Sequence, residues 1–389
     1  MNKADIDVIV RQVASPADHG NSWKEAGRVW ARSGWAQRVR SCLAGIICLL
    51  SGVTPAAAQS VDLRLDQLQI LGSHNSYRPY PSPLIREAIQ SASARAWPLL
   101  AYGHPPLESQ LELGLRQFEL DVAPDPQGGR YLRPYEAAGK DVRTLMSAPG
   151  AKILHSPVND YETHCLTLRT CLEIFRRWSE AHQGHDPVVI LINARDFTAD
   201  GPARPAVRFD AAGLNALDED IRSVMGSERL ITPDNVRGNR ASLREAVRAG
   251  LWPRLEAARG RFVFILDGSA EHANLYRENH PSLAGRVMFA WYGEEDAEAS
   301  AFNIQDPVRE EERIRRLVRE GFLVRTRADS GMAEARSKDR GRMAAAIRSG
   351  AQLVSTDLYP GVPDPEGLKF VQSFEGPYVR CNAVTARCP

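Results

Sequence analysis

The sequence has almost no net charge, no long apolar run and no internal repeats, and each of these absences excludes a class of protein. Lysine and arginine number 49 and aspartate and glutamate 48, for a formal net charge of +1, so no nucleic acid partner is expected. The apolar stretch Cys42–Val53 is too short to favour a membrane span. With 43% hydrophobic and 25% charged residues, the chain suits an ordinary globular protein with a sizeable core.

The N-terminal segment has the pattern of an export signal. Arg38 and Arg40 precede the apolar stretch Cys42–Val53, and an Ala-x-Ala site follows, with cleavage expected after Ala58. The polar leader before it is long for such a signal, which suggests a later start codon, for example at Val29. We therefore expect residues 1–58 to be a signal peptide with a polar leader. The mature chain, 59–389, would be one catalytic barrel domain that is secreted or periplasmic, without a transmembrane anchor.

Cysteines are scarce, and no Cys-x-x-Cys pair is present. The mature chain keeps four of them in two local pairs. They are Cys165 with Cys171 and Cys381 with Cys388. An even number in an exported protein favours disulfide bonds within each pair. The alternative, a zinc site, requires four thiols to converge from distant segments.

Short, continuous apolar runs alternate with helical patterns along the mature chain, as expected of parallel strands buried on both faces. The predicted strands are Leu68–Gly72, Gln117–Val122, Lys152–His155, Val188–Asn193, Arg261–Asp267, Arg286–Trp291, Phe322–Arg327 and Gln352–Asp357. The predicted helices are Leu107–Leu113, Leu166–His182, Ser242–Ala249, Pro307–Glu320 and Met332–Ser349, with Pro307 in a first turn and Gly350 as a C-terminal cap.

Eight strands with intervening helices predict an α/β fold, a (β/α)₈ TIM-like barrel, irregular because the connection after its first strand is long. A doubly wound open sheet is the alternative. Active sites of such barrels lie at the carboxyl ends of the strands. The residues predicted there are His74, Asn75, Glu119, Asp121, His155, Asn193, Arg195, Asp267, Trp291, Arg325, Arg327 and Asp357.

Two carboxylates at the end of the second strand indicate a cation site. Glu119 and Asp121 project to the same side, because side chains alternate along a strand. With the side-chain carbonyl of Asn75 they make an oxygen-rich set that suits Ca²⁺ or Mg²⁺. In the alternative interpretation, Arg325 or Arg327 bridges the two carboxylates.

Two histidines at strand ends suit general acid and base catalysis, since imidazole titrates near neutral pH. These are His74 and His155. The helix or loop contexts of the other histidines make them incidental in this interpretation. They are His104, His164, His182 and His185.

Two arginines at the end of the seventh predicted strand, Arg325 and Arg327, point to one side and match the geometry of a phosphate. The alternative is a salt bridge to Asp329 or Asp357.

Three stretches resemble the phosphatidylinositol-specific phospholipase C superfamily. They are Leu71-Gly72-Ser73-His74-Asn75-Ser76-Tyr77, then Gln110-Leu111-Glu112-Leu113-Gly114 leading to Phe118-Glu119-Leu120-Asp121, and His155 with its strand. Three later stretches resemble the bacterial calcium-dependent branch. They are Ile231-Thr232-Pro233-Asp234, Arg325-Thr326-Arg327-Ala328-Asp329 and Ser355-Thr356-Asp357. The resemblance spans about Gln69 to Tyr359, with the stretches in the same order as in the family. The His-Asn motif at His74-Asn75 and the Glu-x-Asp motif at Glu119-Leu120-Asp121 are specific together and weak separately.

The resemblance implies a PLC-like phosphodiesterase of the TIM-barrel type with a calcium ion at Asn75, Glu119 and Asp121. It implies that the metal activates the inositol 2-hydroxyl, that Glu119 or a histidine takes its proton, and that His155 protonates the departing diacylglycerol oxygen. His74 would stabilise the phosphorane. Relatives without the metal carry an arginine near the position of Asp121, so calcium dependence is expected here.

Substrate contacts and the membrane partner also follow from the resemblance. Arg325, Arg327, Asp357 and Tyr359 are expected to bind a phospholipid substrate at a membrane surface, and the protein is expected to be a monomer. The loop at Tyr80 and the segment Trp97-Pro98-Leu99-Leu100 would form an apolar rim that dips into lipid, or else a buried loop under the barrel mouth.

Two departures from the family pattern qualify these expectations. Asn193 stands where relatives supply a further carboxylate, so calcium affinity should fall by roughly an order of magnitude or more. The alternatives are that Asp196 compensates from the loop or that the metal is a different one. Asp267-Gly268-Ser269 lacks the lysines of relatives that bind phosphorylated inositol rings, which favours unphosphorylated or non-inositol head groups.

Two other functions remain open at this stage. One is a phosphodiesterase acting on glycerophosphodiesters or sphingolipids, although the former usually carry His-Arg-Gly where this chain has His74-Asn75-Ser76. The other is a catalytically weak lipid or sugar-phosphate binding protein, for which Asn193 is the main support.

Overall fold

The computed structural model describes residues 62–136, 138–197 and 206–388. The predicted signal sequence, 1–58, lies outside these residues. None of the helices in the described ranges combines the length and apolar character that a membrane crossing requires.

The strands of the described chain form one sheet that curves into a barrel. They are β1 (Leu68–Gly72), β2 (Gln117–Ala123), β3 (Lys152–Ile153), β4 (Val188–Ala194), β5 (Phe262–Asp267), β6 (Phe289–Ala290), β7 (Ala301–Asn303), β8 (Leu323–Arg327), β9 (Leu353–Ser355) and β10 (Val379–Cys381). Eight of them follow the order β6-β5-β4-β2-β1-β9-β8-β7, with parallel pairing between neighbours. A parallel bridge between Trp291 and Ala301 joins the two ends. The predicted TIM-like barrel is confirmed, and the open sheet is excluded by that bridge.

One strand assignment made from the sequence was wrong, and one barrel strand was missed. The segment predicted as strand Lys152–His155 is short and pairs antiparallel with β2, outside the barrel path. The barrel strand β7, Ala301–Asn303, was missed, since three residues carry too little periodicity to predict a strand. The number of barrel strands was therefore right, although one member was misassigned.

Helices pack around the barrel. They are α1 (Pro83–Ala92), α2 (Trp97–Leu100), α3 (Leu107–Glu112), α4 (Lys140–Ser147), α5 (Leu168–Ala181), α6 (Ala211–Met225), α7 (Pro233–Arg237), α8 (Leu243–Arg248), α9 (Leu255–Ala258), α10 (Ala270–Arg277), α11 (Glu311–Arg319), α12 (Ala333–Ser337) and α13 (Gly341–Ser349). Short 3₁₀ turns occur at Leu65–Gln67, Arg133–Tyr135, Ser227–Arg229 and Pro281–Leu283.

Helix ends follow capping rules, with two differences from the sequence prediction. Gly350 caps α13 with a φ of 77°, as predicted. Pro307 is not in the first turn of α11, which begins at Glu311. The single helix predicted over Met332–Ser349 is two, α12 and α13, and Lys338 after α12 adopts a left-handed φ of 58° that ends the helix.

The C-terminal strand closes the space beside β1. β10 pairs antiparallel with β1 from Leu68 to Ile70, whereas β1 pairs with β2 through Gly72 and Gln117. A Cβ on Gly72 would lie 2.3 Å from the Gln117 carbonyl oxygen, so this approach requires glycine. Both predicted disulfide bonds are present: Cys165–Cys171 precedes and enters α5, and Cys381–Cys388 ties the end of β10.

Apolar side chains of the barrel strands form the main core, and a second apolar cluster lies under the loops that follow β1 and β2. Ile85 and Trp97 are buried in this second cluster, while Leu99 is 54% exposed. The apolar segments after β1 therefore pack mainly under the barrel mouth, and Leu99 is an apolar side chain that faces solvent.

Candidate active site

The loop after β1 is fastened to the end of β2. The Ser76 hydroxyl accepts a hydrogen bond from the Glu119 backbone N–H at 2.8 Å, and the Ser73 hydroxyl bonds that of Ser76 at 2.7 Å. Asn75 has a φ of 50°, a left-handed conformation that asparagine tolerates better than most residues. These contacts fix the backbone that carries His74 and Asn75 beside Glu119.

His74 is held by a carboxylate from the segment after β9. Its Nδ1 lies 3.2 Å from Asp357 Oδ1, and its Nε2 lies 3.9 Å from Glu119 Oε1. Nδ1–H donating to Asp357 leaves the Nε2 lone pair directed into the site. His74 therefore has the arrangement of a general base with an orienting carboxylate.

His104, which sequence reasoning treated as incidental, supports this pair. Its Nε2 lies 2.7 Å from the His74 carbonyl oxygen and 3.6 Å from Asp357 Oδ1. Its Nδ1 lies 3.1 Å from the Tyr359 hydroxyl. Tyr359, predicted to bind substrate, is fully buried and stacked on the His104 ring. No strand-end signal marks His104, because it lies in the loop between α2 and α3.

Glu119 forms a buried ion pair with Arg325 across the barrel. The Arg325 NH2 lies 2.8 Å from Glu119 Oε2. Arg325 also donates to Ser355 Oγ at 3.0 Å and to Asn303 Oδ1 at 3.1 Å. The alternative interpretation, in which Arg325 or Arg327 bridges both carboxylates, holds only for Glu119, because Asp121 pairs with Arg195 instead. The pair leaves Glu119 Oε1 directed toward His74.

Asp121 accepts two hydrogen bonds from the end of β4 and the residue after it. Asn193 Nδ2 donates to Oδ1 at 3.0 Å, and Arg195 NH1 donates to Oδ2 at 2.7 Å. The β2–β4 register places Asn193 directly beside Asp121. Because the amide nitrogen of Asn193 serves Asp121, its carbonyl oxygen remains available as a ligand.

His155 is held by a second carboxylate. Its Nδ1 lies 2.8 Å from Asp160 Oδ2, and Asp160 also accepts from Arg78 Nε at 2.9 Å. Burial works against the charge of Asp160, but hydrogen bonds and charges of His155 and Arg78 outweigh it and lower the pKa of Asp160. An ionised Asp160 orients His155 with Nε2 free for proton transfer. Sequence reasoning identified His155 but neither Asp160 nor Arg78, because neither of these two residues lies at a predicted strand end.

Arg327 and Asp267 are the last residues of β8 and β5. Arg327 NH2 lies 2.7 Å from Asp357 Oδ2 and 3.3 Å from Asp329 Oδ1. Asp267 accepts a hydrogen bond from Trp291 Nε1 at 2.7 Å. The alternative of salt bridges thus describes Arg327, while the predicted phosphate contact of both arginines stays a prediction.

Burial and charge set the protonation of the two central groups. Burial, helped by the positive charge of Arg327, lowers the pKa of His74 to about 3, so its imidazole is neutral near pH 7. Burial also raises the pKa of Glu119 to about 8, although Arg325 opposes the shift. A cation beside Glu119, such as Arg325, favours the ionised form of this buried carboxyl.

The donor set fits calcium in kind but is poor in charge. Asn75, Glu119, Asp121 and Asn193 offer only oxygen ligands, which suit a hard cation. The two amides carry no charge, and within the described ranges no group of three or more histidine, cysteine, aspartate or glutamate side chains is arranged to hold a metal. Asp196, considered as a compensating ligand, lies 3.1 Å from His272 Nε2 instead. These four residues therefore fit a calcium ion that binds weakly.

The structure brings most of the predicted site residues to one end of the barrel. The contacts above link His74, Glu119, Asp357, Arg325 and Arg327 in one network, and Asp121 with Asn193 on adjacent strands. Asn75 lies in the loop after β1, where its Nδ2 donates to the Tyr102 hydroxyl at 2.8 Å. His155 belongs to a separate hydrogen-bonded group with Asp160, beyond the end of β3.

Comparisons with known proteins agree with this architecture. The model of a family described as "Phosphoinositide phospholipase C, Ca2+-dependent" matches residues 63–383. No curated protein matches the sequence significantly.

Solved structures with the same fold include a calcium-dependent phosphoinositol-specific phospholipase C from Pseudomonas sp. Its myoinositol complex is 15% identical, with a TM-score of 0.53 over 83% of this chain and 96% of that chain. An apo crystal form of the same protein is 14% identical, with a TM-score of 0.52 over 82% of this chain and 95% of that chain. A Ca²⁺-dependent phosphatidylinositol-specific phospholipase C from Streptomyces antibioticus gives 19%, 0.49, 79% and 98%.

Proposed function

The chain belongs to the Ca²⁺-dependent phosphoinositide phospholipase C family, and we propose that it cleaves phosphatidylinositol by intramolecular attack of the inositol 2-hydroxyl on phosphorus. The enzyme class, phosphoric diester hydrolase, follows from the family. The observation that carries the finer proposal is that His74 and His155 are each held at Nδ1 by a buried aspartate.

His74 serves as the base. Its neutral imidazole takes the 2-hydroxyl proton at Nε2. Burial disfavours the imidazolium that forms, and the Asp357 carboxylate at Nδ1 together with the negative charge of the phosphodiester stabilises it. Glu119 was the other candidate base, but its Oε2 is committed to Arg325. The new bond joins the 2-oxygen to phosphorus.

His155 serves as the acid. It donates the Nε2 proton to the departing diacylglycerol oxygen as the P–O bond breaks, with Asp160 orienting the ring. Protons balance, since His74 gains the one that the hydroxyl loses and His155 loses the one that the leaving group gains. The product is a cyclic inositol phosphate.

Asn75, Glu119, Asp121 and Asn193 would hold calcium through their side-chain oxygens, and a bound ion would supply Lewis-acid activation of the hydroxyl and neutralise charge on phosphorus. The lack of lysines in Asp267-Gly268-Ser269 supports an unphosphorylated inositol ring. The two disulfide bonds support export to an oxidising compartment, and we propose a monomer acting at a membrane surface.

The test is release of soluble inositol phosphate from phosphatidylinositol vesicles, with calcium and then with a chelator. We expect release only with calcium, and its loss in His74→Asn and His155→Asn. His182→Asn is the matched control, since His182 pairs with Glu112 on the outer surface at 3.2 Å. Release from sphingomyelin or glycerophosphodiesters but not from phosphatidylinositol would overturn the substrate. No turnover of any diester would favour a binding role.

A further inference from the structure

Asp121 forms an ion pair with a cationic side chain of the protein itself, Arg195. The Asp121 side chain is fully buried, and Arg195 reaches its Oδ2 at 2.7 Å from the segment after β4. The carboxylate expected to bind calcium is therefore already neutralised.

Each of the two carboxyl groups is paired with an arginine, so the set carries no net negative charge. Glu119 pairs with Arg325 as Asp121 pairs with Arg195. A divalent ion entering this set brings two positive charges without a counter-charge, which is costly at a buried site. One arginine must leave for the ion to bind well.

Arg195 is the arginine that can leave. Its side chain is 36% exposed, whereas that of Arg325 is 1% exposed. Arg325 is further anchored by Ser355 and Asn303. Arg195 lies just beyond β4, which ends at Ala194, so its side chain can move from Asp121 into solvent without disturbing the pairing of the barrel strands. Its guanidinium lies 5.7 Å from the Phe197 ring.

We propose that Arg195 is a tethered competitor for calcium that occupies Asp121 in the metal-free protein and is displaced when the ion binds. This inference rests on the calcium site of the proposed function and adds to it a residue that sets the calcium threshold. Together with the neutral Asn193, Arg195 restricts the enzyme to surroundings rich in calcium.

The experiment is calorimetric titration of the metal-free full mature chain with CaCl₂, with the melting temperature recorded with and without calcium. Arg195→Gln removes the charge, and Arg195→Lys keeps it with a less directional donor. Arg169→Gln is the matched control, since Arg169 also donates from NH1 to an aspartate, Asp220, at 2.8 Å, but on the outer helices.

We expect Arg195→Gln to bind calcium about tenfold more tightly than the wild type, with Arg195→Lys in between and Arg169→Gln unchanged. The Arg195→Gln protein should melt lower without calcium, because Asp121 loses its partner, and gain more on calcium addition. A merely structural arginine would lower the melting temperature equally in both conditions.

The outcomes separate this inference from the calcium site itself. Equal affinity in wild type and Arg195→Gln, or weaker binding in the variant, overturns the competitor role alone. Binding by Arg195→Gln with none by the wild type supports it. Absence of binding by every variant overturns both the calcium site and the inference.

Discussion

Arg325 and Glu119 form an ion pair at 2.8 Å although 206 positions separate them in the sequence. The pair links β8 to β2 across the interior of the barrel, and both side chains are almost completely buried. It joins the part of the site that carries the proposed metal ligands to the part that carries the remaining polar side chains.

Breaking this pair should destabilise the fold. Arg325→Gln should lower the free energy of unfolding by about 3 kcal/mol or more, because it leaves the buried Glu119 charge without its partner. Urea unfolding measures the loss. Arg176→Gln is the control, since its pair with Glu180 has the same 2.8 Å distance on the surface and should change stability by less than about 1 kcal/mol. Equal losses in the two variants would show that burial does not decide the value of the pair.

Replacing the partner of His74 should slow the reaction. Asp357→Asn should lower kcat by about 10²- to 10⁴-fold, because the amide no longer holds Nδ1–H or stabilises the imidazolium. Steady-state kinetics on phosphatidylinositol vesicles measure it, and the double variant with His74→Ala should be little worse than either single one. Asp218→Asn, which alters a buried bond to Tyr276 away from the mouth, should affect stability but not kcat. Additive losses in the double variant would separate Asp357 from His74.

The role of His155 can be tested through the leaving group. His155→Ala should lose about 10³-fold on phosphatidylinositol but much less on a 4-nitrophenyl ester of inositol phosphate, whose leaving oxygen needs no proton. Asp160→Asn should show the same pattern at smaller amplitude, since Asp160 acts through His155. The ratio of kcat values on the two substrates is the measurement. A loss that is the same for both leaving groups would assign His155 to a role other than general acid.

The close approach of β1 to β2 should not tolerate a side chain. Gly72→Ala places a methyl group 2.3 Å from the Gln117 carbonyl oxygen, so it should cost about 2 kcal/mol of unfolding free energy and displace the loop that carries His74. Thermal unfolding and activity are the two measurements. At Gly139 an added Cβ meets nothing within 4 Å, so Gly139→Ala should cost less than about 1 kcal/mol. Wild-type stability in Gly72→Ala would mean that the two strands can separate freely there.

Much of the fold was predictable because barrel strands carry a local signal. Continuous apolar runs such as Val188–Asn193 predicted buried parallel strands, and that pattern needs only neighbouring residues. The structure has β4 at Val188–Ala194. The three-residue β7 carries too little of this signal. Lys152–Ile153 carries it but pairs antiparallel, and pairing direction is decided by a distant partner.

The sequence by itself determined which chemical groups stand at the strand ends and the family to which the chain belongs, because both are written in short motifs such as His74-Asn75 and Glu119-Leu120-Asp121. It also determined the two disulfide pairs, since each joins cysteines that are close in sequence. Only the tertiary structure decided that Arg325 pairs with Glu119, that Arg195 occupies Asp121, and that Asp160 holds His155. The physical reason is that an ion pair depends on the distance between side chains and on their shared burial, and both arise only when the barrel closes.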